Sequence, residues 1–325
     1  MRPSIDGDVL ARALQTLLAC PLCGRELTGT SSGARCPACG REYPLRDGVL
    51  YCLVDDTVPQ EDERRARDVF ACQIGSGEDL LRVVGRHHCI PVMRARAEAF
   101  HARFAGRDWI VDLGVGYGWH WQEVRGGAGI VGVDFSRPSL GLAHHLLRAS
   151  EARVLLVCAD AARLPFRRGA VAGLWSVQVF QHFPASVLQA VKEELDRVLA
   201  PAFAMEIYNL NPAPVLRAIY RLCGRRLPRK GRSGPMEVNR RTAREWIELW
   251  RAFRGGRTRI VPGYSELFFH PDLRLVPSCY PARAEERLAE RFTGPSSWIA
   301  RQVQLRIEAP VGLRDAPRPA GAGGA

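Results

Sequence analysis

The run Trp109-Ile110-Val111-Asp112-Leu113-Gly114-Val115-Gly116-Tyr117-Gly118 decides the fold. An apolar strand enters a turn built on three alternate glycines, and a helix is expected to begin near Trp119. Glycine suits such a turn because a Cβ would bar the close approach of a ligand to the backbone and resist the dihedrals required. Downstream, Gly129-Ile130-Val131-Gly132-Val133 reads as a second strand ending at Asp134, and Val154 to Cys158 as a third, leading to Asp160 and Leu164-Pro165-Phe166. An acid ending the second strand can accept both hydroxyls of a ribose lying over the glycine turn. One ending the third can accept the exocyclic amine of an adenine. Parallel strands carrying such groups at their carboxyl ends give the geometry of a nucleoside site in an open α/β sheet.

A fourth strand with its following loop fits Leu174-Trp175-Ser176-Val177-Gln178-Val179-Phe180-Gln181-His182-Phe183, and Met205-Glu206-Ile207 reads as a fifth. Between them, Ser186 to Leu199 carries Val187, Leu188, Val191, Leu195 and Val198 at helical spacing, a face that packs on the sheet. Thr242 to Phe253 reads as another helix of the main layer. Val303, Leu305 and Ile307 alternate with polar residues over Arg301 to Glu308, as in an antiparallel edge strand. A dinucleotide oxidoreductase would show Gly-x-Gly-x-x-Gly, whereas here the third glycine follows two residues after the second.

These motifs together resemble the class I S-adenosylmethionine-dependent methyltransferases, in the broad group that includes quinone-biosynthesis methyltransferases. The match rests on Asp112 to Gly118, on Gly132-Val133-Asp134, on Asp160 with Leu164-Pro165-Phe166, and on the Leu174 to Phe183 run; it covers about residues 90 to 210. The resemblance implies a seven-stranded, mostly parallel, doubly wound α/β sheet of Rossmann-like type. It also implies that the backbone at Gly114, Gly116 and Gly118 holds the methionyl part of the cofactor, with Asp112 supporting its ammonium through water or backbone. Asp134 would then hold the ribose and Asp160 with Ala161 the adenine, with Phe135 and Val177 in the same cofactor-binding set. His182 is the candidate base near the methyl group, and a hydrogen-bonding histidine beneath the fourth strand is the alternative reading of that residue. His120 reads as a cap or a contact at the cofactor's end, and Trp119 and Trp121 as packing. Two departures stand out: Val171-Ala172-Gly173 where the family usually places an acid, and Ala202-Phe203-Ala204 where it usually places Gly-Gly, a difference expected to alter a turn.

Toward the amino terminus, Cys20-Pro21-Leu22-Cys23-Gly24 and Cys36-Pro37-Ala38-Cys39-Gly40 are two tight turns whose thiolates converge on one point. Four thiolates offer the closed tetrahedral cage of one structural zinc ion, leaving no open position for water or substrate. The other six cysteines lack ligand spacing and read as small apolar groups. With the Tyr43-Pro44 and Asp47-Gly48 turn that follows, this stretch resembles the small zinc-ribbon proteins that activate tRNA, ribosomal and release-factor methyltransferases.

The chain divides accordingly into a zinc ribbon over 1–56, a helical connector and cap over 57–105, and a main domain over 106–310. The main domain carries insertions at about 210–240 and 265–298, the latter a possible lid, and a disordered tail is expected over 311–325. Composition is that of an ordinary globular protein, 46% hydrophobic and 25% charged in 325 residues. The absence of a long apolar run or of a secretory leader leads to the expectation of a cytoplasmic protein without a membrane span. The net charge of +12 is unevenly placed: residues 1–200 contribute +1 and 201–325 contribute +11. Arg217 to Arg259 holds 14 basic residues against Glu237, Glu245 and Glu248. Such a segment either tracks a polyanion or forms a solvated face. Two acceptor classes therefore stand: a metabolite, lipid or natural product methylated by direct in-line transfer, favoured by the family resemblance, or an rRNA or tRNA held by the ribbon and the arginine segment.

Overall fold

The computed structural model describes residues 5–54, 61–80, 90–148, 150–224, 230–233, 236–267 and 282–309. The ribbon contributes α1 (Ile5–Thr16), β1 (Thr28–Thr30), β2 (Gly33–Arg35), β3 (Glu42–Arg46) and β4 (Val49–Tyr51). Helices α2 (Glu61–Ile74) and α3 (Ile90–Ala102) connect it to the glycine-turn strand β5 (Trp109–Leu113). Then follow β6 (Gly129–Asp134), α4 (Arg137–Leu147), β7 (Val154–Cys158), β8 (Val171–Val177), α5 (Ala185–Val198) and β9 (Leu199–Leu210). The remainder comprises α6 (Pro214–Leu222), β10 (Lys230–Ser233), β11 (Met236–Asn239), α7 (Ala243–Trp250), β12 (Arg259–Ser265), α8 (Ala282–Arg291), α9 (Thr293–Ile299) and β13 (Gln302–Glu308).

The main sheet runs β1-β2-β3-β4-β7-β6-β5-β8-β9-β13-β12. Its segment from β7 to β12 is the expected seven-stranded layer, parallel from β7 to β9 and antiparallel at β13 and β12. The four ribbon strands continue the same sheet, because β4 pairs in parallel with β7 through Val49↔Leu156, Leu50↔Val157 and Tyr51↔Cys158. The hairpin that sets this register turns at Asp47 (φ 50°) and Gly48 (φ 73°), the two positive-φ positions of a two-residue turn.

Side chains alternate across the sheet with the period of two that extended chain imposes. Trp109, Val111 and Leu113 of β5, Val131 and Val133 of β6, and Leu155 and Val157 of β7 face one core with α1, α5 and α7. Ile110, Ile130, Leu156 and Cys158 face the other, with Phe100 of α3 and Leu140, Ala143 and Leu147 of α4. Among the described residues the ribbon shares the main core: Val9, Leu14, Leu17, Leu18, Leu27 and Tyr43 belong to the first cluster. Arg167 fastens it there, Nη2 donating to the Leu14 carbonyl at 2.8 Å and Nε to that of Leu18 at 3.1 Å.

Three local expectations change. The glycine turn leads into a single 3-10 turn, Trp119–Trp121, and α3 packs against that turn. The turn expected before the fifth strand is absent: α5 passes directly into a twelve-residue β9, with an irregularity opposite Val171 to Gly173. Ala202-Phe203-Ala204 thus lies in a strand, since without glycines the chain stays extended and pairs. Finally, β13 is antiparallel but interior, flanked by β9 and β12. Its alternation arises because Gln304, Arg306 and Glu308 face a polar groove shared with Glu206 and Arg103, while Val303, Leu305 and Ile307 are fully buried. The edge belongs to β12, whose Pro262 suits that position.

Candidate cofactor site and zinc site

The carboxyl ends of β5, β6, β7 and β8 surround a cavity of about 300 Å³. Gly114 (φ 76°) must lack a side chain, since a Cβ there would come within 2.1 Å of Val179 Cγ2. Gly116 (φ 53°) differs: the space beyond its Cα is open, and its N–H donates to Asp134 Oδ2 at 3.0 Å. A backbone left bare toward an open cavity is what a closely approaching ligand requires. Asp134 Oδ1 accepts from Ser136 N–H at 2.9 Å. Burial pushes the Asp134 carboxyl above its usual range, and the N–H donors of Ser136 and Gly116 partly oppose that. At the end of β7, Asp160 Oδ1 accepts from Ala162 N–H at 2.9 Å, and burial raises this carboxyl too.

Gly114, Gly116, Asp134, Phe135, Asp160, Ala161, Val177 and His182 line the cavity. Asp112 and Gly118 do not. Asp112 is fully buried behind the turn, where its Oδ2 accepts from Trp121 Nε1 at 2.7 Å and pairs with His120 Nε2 at 2.9 Å. Gly118 packs on Leu147, which a Cβ would reach at 2.6 Å. The two carboxylates and the bare turn face one volume, an arrangement that fits a ribose between Asp134 and the glycines with an adenine toward Asp160.

The sequence predicts a polar helix opening at Glu61 within the connector, but not that it lies over this cavity. Glu63, Arg67 and Phe70, at i, i+4 and i+7 on α2, line it from the other side. That spacing was the available signal, obscured by the dense charge of Glu61 to Arg67. Arg67 Nε donates to Glu63 Oε1 at 3.1 Å, and Arg67 Nη2 lies 3.1 Å from His182 Nε2. His182 Nδ1 stands 3.6 Å from Glu63 Oε1, so the imidazole proton belongs on Nδ1 and Nε2 accepts from the guanidinium. Farther along, Asp68 Oδ1 accepts from Ser136 Oγ at 2.6 Å, Ser136 being the N-cap of α4. Helix α2 is thereby tied both to the loop after β6 and to the loop after β8. Strand β11 packs against α2 and the 180–182 turn. The helices α8 and α9 stand away from this cavity, against β12 and α6. His87 and His88, read as surface or capping residues, lie outside the described residues.

The four ribbon cysteines bring their Sγ atoms within 4.8 Å of one another. Cys20 and Cys39 Sγ are 3.7 Å apart, and Cys23 and Cys36 3.5 Å. A tetrahedron with zinc–sulfur bonds of about 2.3 Å has edges of about 3.8 Å. Each knuckle closes identically: Gly24 N–H donates to the Cys20 carbonyl and Gly40 N–H to that of Cys36, both at 2.8 Å, with φ of 72° and 74°. The Tyr43 hydroxyl lies 3.0 Å from Cys20 Sγ, an outer hydrogen bond that steadies a ligand. The set fits one structural zinc ion.

Residues 110–202 match the family model described as a methyltransferase domain. No curated protein matches the chain. Among solved structures, one from Haloferax volcanii, described as a complex between the Trm112 methyltransferase activator and the putative methyltransferase, is similar at 18% identity and a TM-score of 0.49. That match covers 76% of this chain and 97% of the other. A 1,6-didemethyltoxoflavin-N1-methyltransferase from Burkholderia thailandensis is 15% identical with a TM-score of 0.44, covering 80% and 94%. An Archaeoglobus fulgidus SAM dependent methyltransferase is 14% identical with a TM-score of 0.42, covering 67% and 94%. Among the described residues, no helix is long and apolar enough to cross a membrane.

Proposed function

We propose that this S-adenosylmethionine-dependent methyltransferase methylates a small molecule, bound between the strand ends and α2 and taking the methyl group directly from the cofactor. The observation that carries this reading is the roof over the cavity. Glu63, Arg67 and Phe70 of α2 face into a volume of about 300 Å³, with the helix tied down at Ser136 and His182 and flanked by β11. A small acceptor fits beneath such a cover more readily than a base presented by a folded RNA. When bound, the cofactor would supply an electrophilic methyl on a sulfonium, open to in-line displacement of the thioether by the acceptor's nucleophilic atom.

What remains for the protein is alignment and exclusion of water. Asp134 would accept the ribose hydroxyls, Asp160 and Ala161 would meet the adenine, and Phe135 and Val177 would pack along the cofactor. His182, beside Val179 and Phe183, faces the acceptor end. It serves as a base only by exchanging the hydrogen bonds of Arg67 and Gln181 at Nε2 for one from the acceptor, the proton then passing to the imidazole while Glu63 steadies Nδ1.

The arginine segment supports this acceptor class, because several of its charges serve the fold. Arg254 Nη1 donates to the Ala200 carbonyl at 3.1 Å and Nη2 to that of Asp196 at 2.9 Å, and Arg241 lies over the Trp246 ring. The test is incubation of the zinc-loaded protein with methyl-labelled S-adenosylmethionine and, separately, RNA and low-mass metabolite fractions. Label in the metabolite fraction is expected. Label confined to RNA would overturn the acceptor class.

A further inference from the structure

A second cavity, of about 890 Å³, shares no lining residue with the cofactor cavity. Strands β9, β13 and β12 form its floor, and α3 and α8 supply its walls. Interior strands of an α/β sheet ordinarily turn apolar side chains toward covering helices on both faces. Here β9 and β13 present Glu206, Tyr208, Gln304, Arg306 and Glu308 instead. The acids of this floor are already engaged. Glu206 Oε2 accepts from the Tyr208 hydroxyl at 3.0 Å and from Gln304 Nε2 at 2.8 Å, while its Oε1 lies 3.4 Å from Arg103 Nη1. Arg103 Nη2 donates to Glu308 Oε1 at 2.5 Å, and on the wall Arg96 Nε donates to Glu286 Oε1 at 3.2 Å.

Two cations are left over. Arg306 stands directly across from Glu206 in the pairing of β13 with β9, and Arg259 directly across from Glu308 in that of β12 with β13. Because those acids are held by other partners, neither guanidinium has an ion pair or hydrogen bond among the described residues. Arg306 is half-buried, and of its three guanidinium nitrogens only Nε is enclosed, which leaves the two terminal ones accessible. Arg259 is exposed at the groove's edge. With Val261 opposite Arg306, the two arginines are diagonal neighbours on one face of an antiparallel pair, roughly 7–8 Å apart, so their forked donors can converge on one oxyanion. Glu290, exposed on α8, is the one acid lining the groove outside the pairs above, so positive charge remains in excess.

We propose that this groove is a second ligand site, separate from the cofactor cavity, which takes the oxyanion of a small carboxylate or phosphate ester between Arg306 and Arg259. A small ligand suits it better than a nucleic-acid backbone, because Glu286 and Glu290 line the α8 wall and would repel a run of phosphates. The test is calorimetric titration of the zinc-loaded full chain with inorganic phosphate and, in a separate arm, with acetate, at constant ionic strength, with and without S-adenosylhomocysteine. Saturable uptake of one ion per chain is expected in at least one arm, and the arm that binds tells a phosphate ester from a carboxylate. Arg306→Gln and Arg259→Gln should each weaken that uptake by about tenfold. Arg251→Gln, a change at an exposed arginine outside the groove, should leave it unchanged. Arg259 is an exposed side chain of the edge strand, so its variant decides the matter should Arg306→Gln not fold. Absence of saturable uptake in both arms, unchanged uptake in a folded groove variant, or an equal loss in Arg251→Gln overturns the proposal. Displacement of the ion by S-adenosylhomocysteine would place it in the cofactor cavity and overturn the proposal as well.

Discussion

Asp134 closes the glycine turn through Gly116, caps the start of α4 through Ser136, and keeps a carboxylate at the cavity wall. Only the ionised carboxylate can accept two ribose hydroxyls, and burial raises its pKa, so affinity for cofactor should be full above that raised value and fall as the pH drops through it. The decline is expected to begin above the ordinary carboxylate value of about 4. A calorimetric pH series checks this, and Asp134→Asn should remove the acidic limb and weaken binding by about 10- to 100-fold. Asp134 and Asp160 were legible in the sequence because each ends a short apolar run, a local signal. The contacts of His182 were not: its partners Glu63 and Arg67 lie more than a hundred residues away, and nothing along the chain reports that distance has closed.

Helices and strands were legible where one face carries a strict period. Helix α5 was expected from five apolar residues, and all five are buried. The polar rows of β13 misled because a groove inside the fold imitates an edge. Arg254 illustrates how little net charge says of function: its guanidinium occupies the carbonyls that end α5 and open β9. Arg254→Ala should cost about 1–3 kcal/mol in a denaturation curve and leave cofactor affinity unchanged. The ribbon makes the stronger statement at this scale. Because β4 is hydrogen-bonded to β7, loss of the metal should release the edge of the strand that leads to Asp160. Cys36→Ser is expected to lose its zinc and lower the melting temperature on the order of 5–10 °C, read by metal analysis and calorimetry.

At the scale of the molecule, the described residues form one sheet of eleven strands that joins the four-cysteine ribbon at one end to an antiparallel pair at the other, with the cavity at the parallel centre. The seven-stranded layer followed from the motifs, whereas continuity with the ribbon did not, since pairing between strands a hundred residues apart leaves no local mark. The central claim is that carboxylates at the tips of β6 and β7 hold S-adenosylmethionine over the glycine turn. Titrating that compound into the zinc-loaded chain tests it most directly. A saturable heat at one molecule per chain, strongly reduced by Asp134→Asn and by Asp160→Asn, is predicted; no heat from the folded, zinc-loaded protein, or an undiminished heat in both variants, would contradict it.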